Sequence, residues 1–332
     1  MAKNRTPDAQ TRVLIEQSVN EMFAGAEQGC FHRLAPMLGE LGWSDVAEEY
    51  PLAAEQILVA QHAVSLTTSD LLDSTLIERL TPALATAPPA GGALLLLPFP
   101  PGAAPSSGPG RVVGLLQGPP QPTDTIVVPF LAGDDIRVTT VSAADVDVVA
   151  LQTFDPSVSW LQATATVTDD GHPADAEWSD TVAEGRRLIA TEVLALAARA
   201  LDLTAQHVSA RRQYGHSIAA FQVVRHQLAQ AQAEIDGARA LLAEAATDGG
   251  HGVARAAKIA ASHAQRAARA SALQLSGAIG LTEENILHRY VARAMQLDVL
   301  FGSATTLELE LAGELFAPGS SGTPLPPLIL AC

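Results

Sequence analysis

Between residues 221 and 242 the apolar side chains fall at Phe221, Val224, Leu228, Ala231, Ile235, Ala238 and Leu242. The steps are three and four throughout, so the segment is a helix with one face buried along about six turns. Such a helix needs long neighbours to cover that face, and the chain supplies them. VAEGRRLIATEVLALAARALDL (182–203) precedes it, and a very Ala-rich run (253–276) follows, whose small side chains let helices approach closely. DGGHG (248–252) places glycines where a helix end wants them. GAIG (277–280) breaks the third helix, and two shorter helices follow. The expectation is a helical bundle over 176–316.

The rest of the chain changes character twice. Residues 9–86 repeat apolar positions at helical steps, as in Leu14, Val19, Met22, Phe23, then Ile57, Val59 and Val64. Pro82, Pro88 and Pro89 end that region, and PPAGGALLLLPFPPGAAPSSGPG (88–110) is dense in helix breakers. ALLLLPF within it suits one short buried strand. RVVGLL, TIVVPFL, DIRVTTV, DVDVVAL and WLQATATV are β-rich runs divided by turn residues, so 111–168 reads as a small β-domain. The predicted architecture is mainly α with a small central β-domain. It comprises an N-terminal helical domain (1–87), a linker and reduced β-domain (88–175), a C-terminal bundle (176–316) and an apolar tail (317–332). The tail ends in PLILAC, either a packing segment or a partner contact.

Composition removes several classes. The net charge is −16. Residues 1–175 carry 7 basic and 21 acidic side chains, whereas 176–332 carry 13 and 15. Phosphate repels the first half, which argues against nucleic acid and anionic membranes as partners, while the second half has arginine enough for an anionic small molecule. The two cysteines, Cys30 and Cys332, suggest no disulfide framework. MAKNRTPDAQTR lacks the apolar stretch of a signal peptide, and no run of about 18 apolar residues occurs. The chain reads as cytoplasmic. Nine histidines show no metal-ligand spacing, so no metal site is expected. Ser106 and Ser107 lie in a Pro/Gly run with no paired base and read as loop.

Two segments carry chemistry. RRQYGHSIAAFQ (211–222) places Arg211 and Arg212 after a helix, then Gln213, Tyr214, a turn at Gly215 and a new helix from about Ser217, with Phe221 and Gln222 looking buried. Arginines near a helix start make an anion site. The competing reading is a charged inter-helix turn. In QLSGAIG (274–280), Gly277 and Gly280 let backbone approach a ligand and Gln274 offers hydrogen bonds; alternatively the segment is only a helix cap.

Taken together, in this order and separation, these segments resemble the C-terminal domain of the acyl-CoA dehydrogenase family. That family's pattern is R-x-x-F-G, an F/H-Q pair, Q-x-x-G-G-x-G, then T-E-E, an arginine and E-G-T. RRQYG, FQ and QLSGAIG-LTEENILHR match it in register, and from Gln274 to Ser303 no gap is needed. LGELGW (38–43) resembles the family's N-terminal domain. The resemblance implies FAD lying across a subunit boundary, its flavin on one subunit and its pyrophosphate and adenosine on the neighbour. It puts Arg211 on the pyrophosphate with Gln213 and Tyr214 lining it. Phe221 and Gln222 border the adenosine side, and Gln274, Gly277, Ala278 and Gly280 shape the adenosine end. Ala278 stands where the family has its second glycine, and His216 where it usually has a basic residue.

The resemblance also exposes a loss. The family's reaction needs a carboxylate that removes the α-proton of an acyl-CoA thioester while the β-hydrogen leaves as hydride. Its usual position, the Glu of E-G-T, is Phe301 here, and the position used by a minority of the family is Gly185. Glu184 is adjacent, but one helical step turns a side chain about 100° away, so it is only a weak candidate. Arg186 matches an arginine common near the substrate thioester. The flavin-backing K-x-W-I-T strand is not recognisable, and Ala292, Arg293 and Met295 replace R-D-x-R. The implied role is the smaller, base-less subunit of an α2β2 acyl-CoA dehydrogenase acting on steroid side-chain CoA esters. FAD would be shared with a catalytic partner, and electron-transfer flavoprotein would be the acceptor. Two alternatives stand beside it: a self-sufficient dehydrogenase using Glu184 or an acid of 308–314, and a flavin-free assembly subunit.

Overall fold

The computed structural model describes residues 5–27, 29–89, 91–248 and 250–316. The apolar tail 317–332, with PLILAC and Cys332, and Gly249 of the DGGHG turn lie outside the described residues.

The N-terminal region holds α1 (Ala9–Ala24), β1 (Phe31–His32), α2 (Leu34–Glu40), α3 (Trp43–Glu49), α4 (Pro51–Ser65), β2 (Thr68–Ser69) and α5 (Leu71–Leu80). Asp8 starts α1 by accepting the Thr11 amide at 2.7 Å, satisfying one of the free N–H groups of a helix start. Ile15, Val19 and Phe23 of α1 are buried with Ile57, Leu58 and Val59 of α4. The sequence put Leu14 on this apolar face, but it is exposed and Ile15 is buried in its place.

The β-region contains β3 (Ala93–Leu95), β4 (Gly110–Leu116), β5 (Thr125–Ala132), β6 (Asp135–Ser142), β7 (Val146–Ala150), β8 (Leu161–Val167) and β9 (His172–Pro173). They form two sheets, in orders β3-β5-β6-β9 and β4-β8-β7, with β3 parallel to β5 and every other pair antiparallel. The run at 93–97 is apolar on both faces because both are covered. Leu94 and Leu96 enter the core between the sheets with Ile126, Val128 and Phe130, whereas Leu95 and Leu97 join the helical core.

The C-terminal region begins with α6 (Asp175–Ala210), whose 36 residues span about 54 Å. A short hairpin, β10 (Arg212–Gln213) with β11 (His216–Ser217), leads to α7 (Gln222–Asp248), α8 (His251–Ser276), α9 (Leu287–Leu297) and α10 (Ala304–Leu315). Val224, Ala231, Ile235, Ala238 and Leu242 of α7 are buried. Against them lie Ala190, Leu194, Ala197 and Leu201 of α6 and Ala257, Ala261, Ala264 and Ala268 of α8. The alanine stripe on α8 brings the helices close, so their packing comes from backbone approach rather than bulky side chains.

Arg293 on α9 joins all three regions. It is almost fully buried; its guanidinium bonds the Asp155 carboxylate and the Ser157 hydroxyl from the β-region, and the carbonyls of Leu66 and Thr67 after α4. Each of the three guanidinium nitrogens therefore has an acceptor, as a buried charge requires. Lys258 of α8 is likewise buried and bonds Asp298.

Candidate functional site

RRQYGHSIAAFQ forms an exposed projection at one end of the bundle. Arg211 terminates α6, its amide bonding the His207 carbonyl and its carbonyl accepting the Ile218 amide. Arg212 and Gln213 then pair with Ser217 and His216. Tyr214 (φ 53°) and Gly215 (φ 79°) make the two-residue turn, both in the left-handed region that a tight hairpin of this twist requires. Tyr214 is 90% exposed. Arg211, Arg212, Gln213 and His216 are also exposed, and among the described residues neither guanidinium has an ion-pair partner.

Two expectations need correction here. The next helix starts at Gln222, not Ser217, because Ser217 is spent on the hairpin and Ile218–Ala220 form a single 3-10 turn. Arg211 therefore caps the carboxyl end of α6, with the hairpin and the 3-10 turn between it and the first residue of α7. A cation at that pole is itself favourable, so the helix dipole does not argue for an anion there. Phe221 is 38% exposed and Gln222 is exposed. The pair is not buried, and the buried stripe of α7 begins at Val224.

The second segment reaches the same end of the molecule. α7 and α8 pack along their length and run antiparallel, so the last turn of α8 lies near the first turn of α7. Gln274, Gly277 and Ala278 are exposed there. Gly277 has φ +64°, and open space where a Cβ would stand. Gly280 is different: it is buried, and a Cβ would come within 2.8 Å of the Ser276 side chain and 3.2 Å of Leu287. Packing within the chain accounts for that glycine.

The two positions that the resemblance assigns to the family's carboxylate, Phe301 and Gly185, meet each other. Phe301 is 2% exposed, with φ 55°, and its ring covers Gly185 so closely that a Cβ there would stand 2.7 Å from ring carbon. Arg186 Nε donates to the Phe301 carbonyl at 3.1 Å and Nη2 reaches Glu310 at 3.4 Å. Burial lowers the Arg186 pKa, with Glu310 opposing. Arg186 thus holds the backbone of the Phe301 turn.

Glu184 turns to another face of α6, where Arg79 and Arg187 both donate to its Oε2, at 2.7 and 2.6 Å. It lines a cleft of about 310 Å³ with Glu55, Arg79, Asp180 and Arg187. In that cleft burial, with the Glu184 charge adding, raises the Glu55 pKa to about 7. The acids of α10 all have partners: Glu308 is hydrogen-bonded to His263, Glu310 pairs with Arg186 and Arg255, and Glu314 with Arg255. Among the described residues no cluster of His, Cys, Asp or Glu could hold a metal ion, and no helix is long and apolar enough to cross a membrane.

Sequence reasoning missed a buried relay, Ser69–His62–Glu192, with contacts of 2.9 and 3.2 Å. All three side chains are buried, and His62 packs edge-on to Phe23, so the relay reads as core hydrogen bonding. Nothing local marks it, since His62 and Glu192 lie far apart in sequence.

Helices, a two-sheet β-region and a long-helix bundle with an arginine hairpin at one end define the acyl-CoA dehydrogenase class. Residues 178–314 match the family model "Acyl-CoA dehydrogenase, C-terminal domain". The chain is 32% identical over 262 residues to acyl-CoA dehydrogenase IpdE2 of Mycobacterium tuberculosis, covering 77% of this chain and 74% of that protein. The chain belongs to the acyl-CoA dehydrogenase family of oxidoreductases. The same fold appears in the ChsE4-ChsE5 complex from Mycobacterium tuberculosis (TM-score 0.74, 19% identity, 95% of this chain and 99% of that one). It appears also in the Tcur3481-Tcur3483 steroid ACAD (TM-score 0.74, 20% identity, 92% and 97%).

Proposed function

We propose that this chain is the non-catalytic subunit of a heteromeric, α2β2 acyl-CoA dehydrogenase. In that assembly it holds the ADP half of an FAD whose flavin ring and catalytic Glu lie on the partner subunit. The observation that carries the reading is the packing of Phe301 on Gly185. It leaves both carboxylate positions without an acid and fills the space between them, while the other end of the bundle presents unpaired arginines to solvent.

The family is FAD-dependent, and the residues present fit the nucleotide half. Arg211 offers a free guanidinium for the pyrophosphate, with Gln213 and Tyr214 beside it. Phe221 and Gln222 border the adenosine, and Gln274, Gly277 and Ala278 offer an open helix end. Gly280 supports that end from within. When bound, FAD supplies the hydride acceptor. This chain's part is to fix the position of the nucleotide and, through Arg186, to keep the Phe301 turn closed. Proton abstraction belongs to the partner's carboxylate.

The substrate we infer is an acyl-CoA thioester undergoing α,β-dehydrogenation, in particular a steroid side-chain CoA ester. The relatedness to IpdE2 and the fold shared with a steroid ACAD support this. Electron-transfer flavoprotein is the inferred acceptor, and the cytoplasm the inferred location. We also propose the division at 1–87, 88–175 and 176–316 as the domain boundaries.

Co-expression with an adjacent acyl-CoA dehydrogenase chain tests the reading. One FAD per heterodimer, with no activity from this chain alone, is expected. One FAD per polypeptide, or turnover of acyl-CoA by the isolated chain, overturns it.

A further inference from the structure

One arginine lies among three buried acids where the N-terminal helices meet the β-region. Arg33 stands at the start of α2, and its Nη2 donates to Asp124, just before β5. Its Nη1 lies 3.6 Å from Oδ2 of Asp70, just before α5. Asp124 also accepts the Gln121 amide at 2.7 Å, and Asp70 accepts the Leu34 amide at 2.8 Å. The third acid, Asp73, is 1% exposed. It stands three residues after Asp70, on the same face of α5. Its Oδ1 accepts the Leu95 amide of β3 at 2.8 Å, whereas its Oδ2 is buried with no partner.

A single guanidinium cannot balance three carboxylates out of water. A buried charge without a partner is far costlier than a neutral hydroxyl without one, so a proton on Asp73 completes the cluster. The protonated acid still accepts the Leu95 amide through its other oxygen. We propose that the cluster is a proton-operated latch: with Asp73 protonated it holds α2 and α5 against β3 and β5, and loss of that proton loosens this seam. Burial, with the Asp70 charge adding and the Leu95 bond and Arg33 opposing, raises the Asp73 pKa to about 7. An opened seam returns the group to water and its ordinary value of 3.8. Opening therefore becomes easier as pH rises through that interval, and no easier above it. α6, also packed on α5, meets it through Glu184 and Arg79, six residues beyond Asp73. The other joint between these regions behaves differently. There Arg293 faces the one carboxylate of Asp155, whose pKa is lowered, so the same pH range leaves it closed. The inference does not depend on the subunit role proposed above, because it concerns neither the hairpin nor Phe301.

Hydrogen exchange of the full-length chain reads the opening at the Leu95 amide, with rates divided by those of an unstructured amide at each pH. From about pH 5 the protection of Leu95 should fall about tenfold per pH unit, the effect of one linked proton, and level off near pH 7. The Asp155 amide, bonded to Gln296 beside Arg293, should fall less over the same range. Asp73→Asn keeps an acceptor for Leu95 but cannot titrate, so the slope at Leu95 should disappear. Asp70→Asn keeps an acceptor for Leu34 and removes a negative charge beside Asp73, so protection should level off at a lower pH. That second variant decides the matter if Asp73→Asn does not fold. A profile at Leu95 no steeper than at Asp155, a slope that persists in Asp73→Asn, or an unmoved levelling point in Asp70→Asn overturns the proposal.

Discussion

The ring of Phe301 covers the bare Cα of Gly185, so that two positions 116 residues apart close one space from opposite sides. Neither carries an acid, and the two side chains fit one another. A glycine alone would leave a void, and a phenylalanine alone would meet a side chain.

That complementarity makes both residues sensitive. Gly185→Ala puts a Cβ 2.7 Å from the ring, and overpacking of this kind costs about 1–3 kcal/mol. Phe301→Ala leaves a cavity and costs about 3–5 kcal/mol. Urea unfolding should show both losses. In the double variant Gly185→Ala/Phe301→Ala, the penalty of the added methyl should largely vanish.

Arg211 should govern cofactor retention, not folding. It is exposed and among the described residues has no ion pair, so Arg211→Ala should leave the melting temperature of the chain within about 1 °C, as surface substitutions do. In the co-purified complex FAD affinity should fall roughly tenfold to a hundredfold, the worth of a charge-assisted hydrogen bond. Unchanged FAD content would favour a flavin-free assembly role.

Arg293→Met should be the most damaging substitution in the helical regions. Removing one member of a buried pair leaves the Asp155 charge uncompensated and costs about 3–5 kcal/mol. For Asp155 itself burial raises the pKa, but the Arg293 charge and the Ser157 and Arg293 hydrogen bonds outweigh it and the net direction is down. A carboxylate depressed in the folded state stabilises above its unfolded pKa and loses that contribution as pH falls through the folded value. Acid unfolding of the parent protein should therefore steepen below about pH 4, and that component should be absent from Arg293→Met.

Glu55 has the opposite sign. Burial, then the Glu184 charge, raises its pKa to about 7. The folded protein thus holds a proton that the unfolded chain releases near the ordinary carboxyl value of 4.5. Stability should fall as pH rises from about 4.5 to 7 and level off above that range. Asp73, raised to about 7 by burial despite the Leu95 amide bond, adds in the same direction. Glu55→Gln should remove its share of the slope, making the variant more stable than the parent at pH 8, as denaturant midpoints across pH would show.

Much of the architecture is legible because it is periodic. The stripe Val224 to Leu242 and the alanines of α8 encode helices whatever surrounds them, and the β-branched runs after 110 encode strands. Locality also explains the errors. The hairpin pairs residues only three and five apart, yet the left-handed Tyr214 is not announced by residue type, so the sequence puts the start of α7 five residues early. Phe221 fits the step of the buried stripe but precedes its first covered turn. Periodicity says which face is apolar, not where a neighbour begins to cover it.

By itself the sequence determined the order of helices, sheet and helices, the absence of an acid at 185 and 301, and the family likeness of the arginine and glutamine segments. These are properties of residue type and spacing along one chain. Only the tertiary structure decided that Phe301 and Gly185 occupy a shared space and that Arg293 binds three regions at once. Each depends on contacts between residues more than a hundred positions apart. Packing density, not local propensity, selects those contacts, and it exists only once the elements have come together.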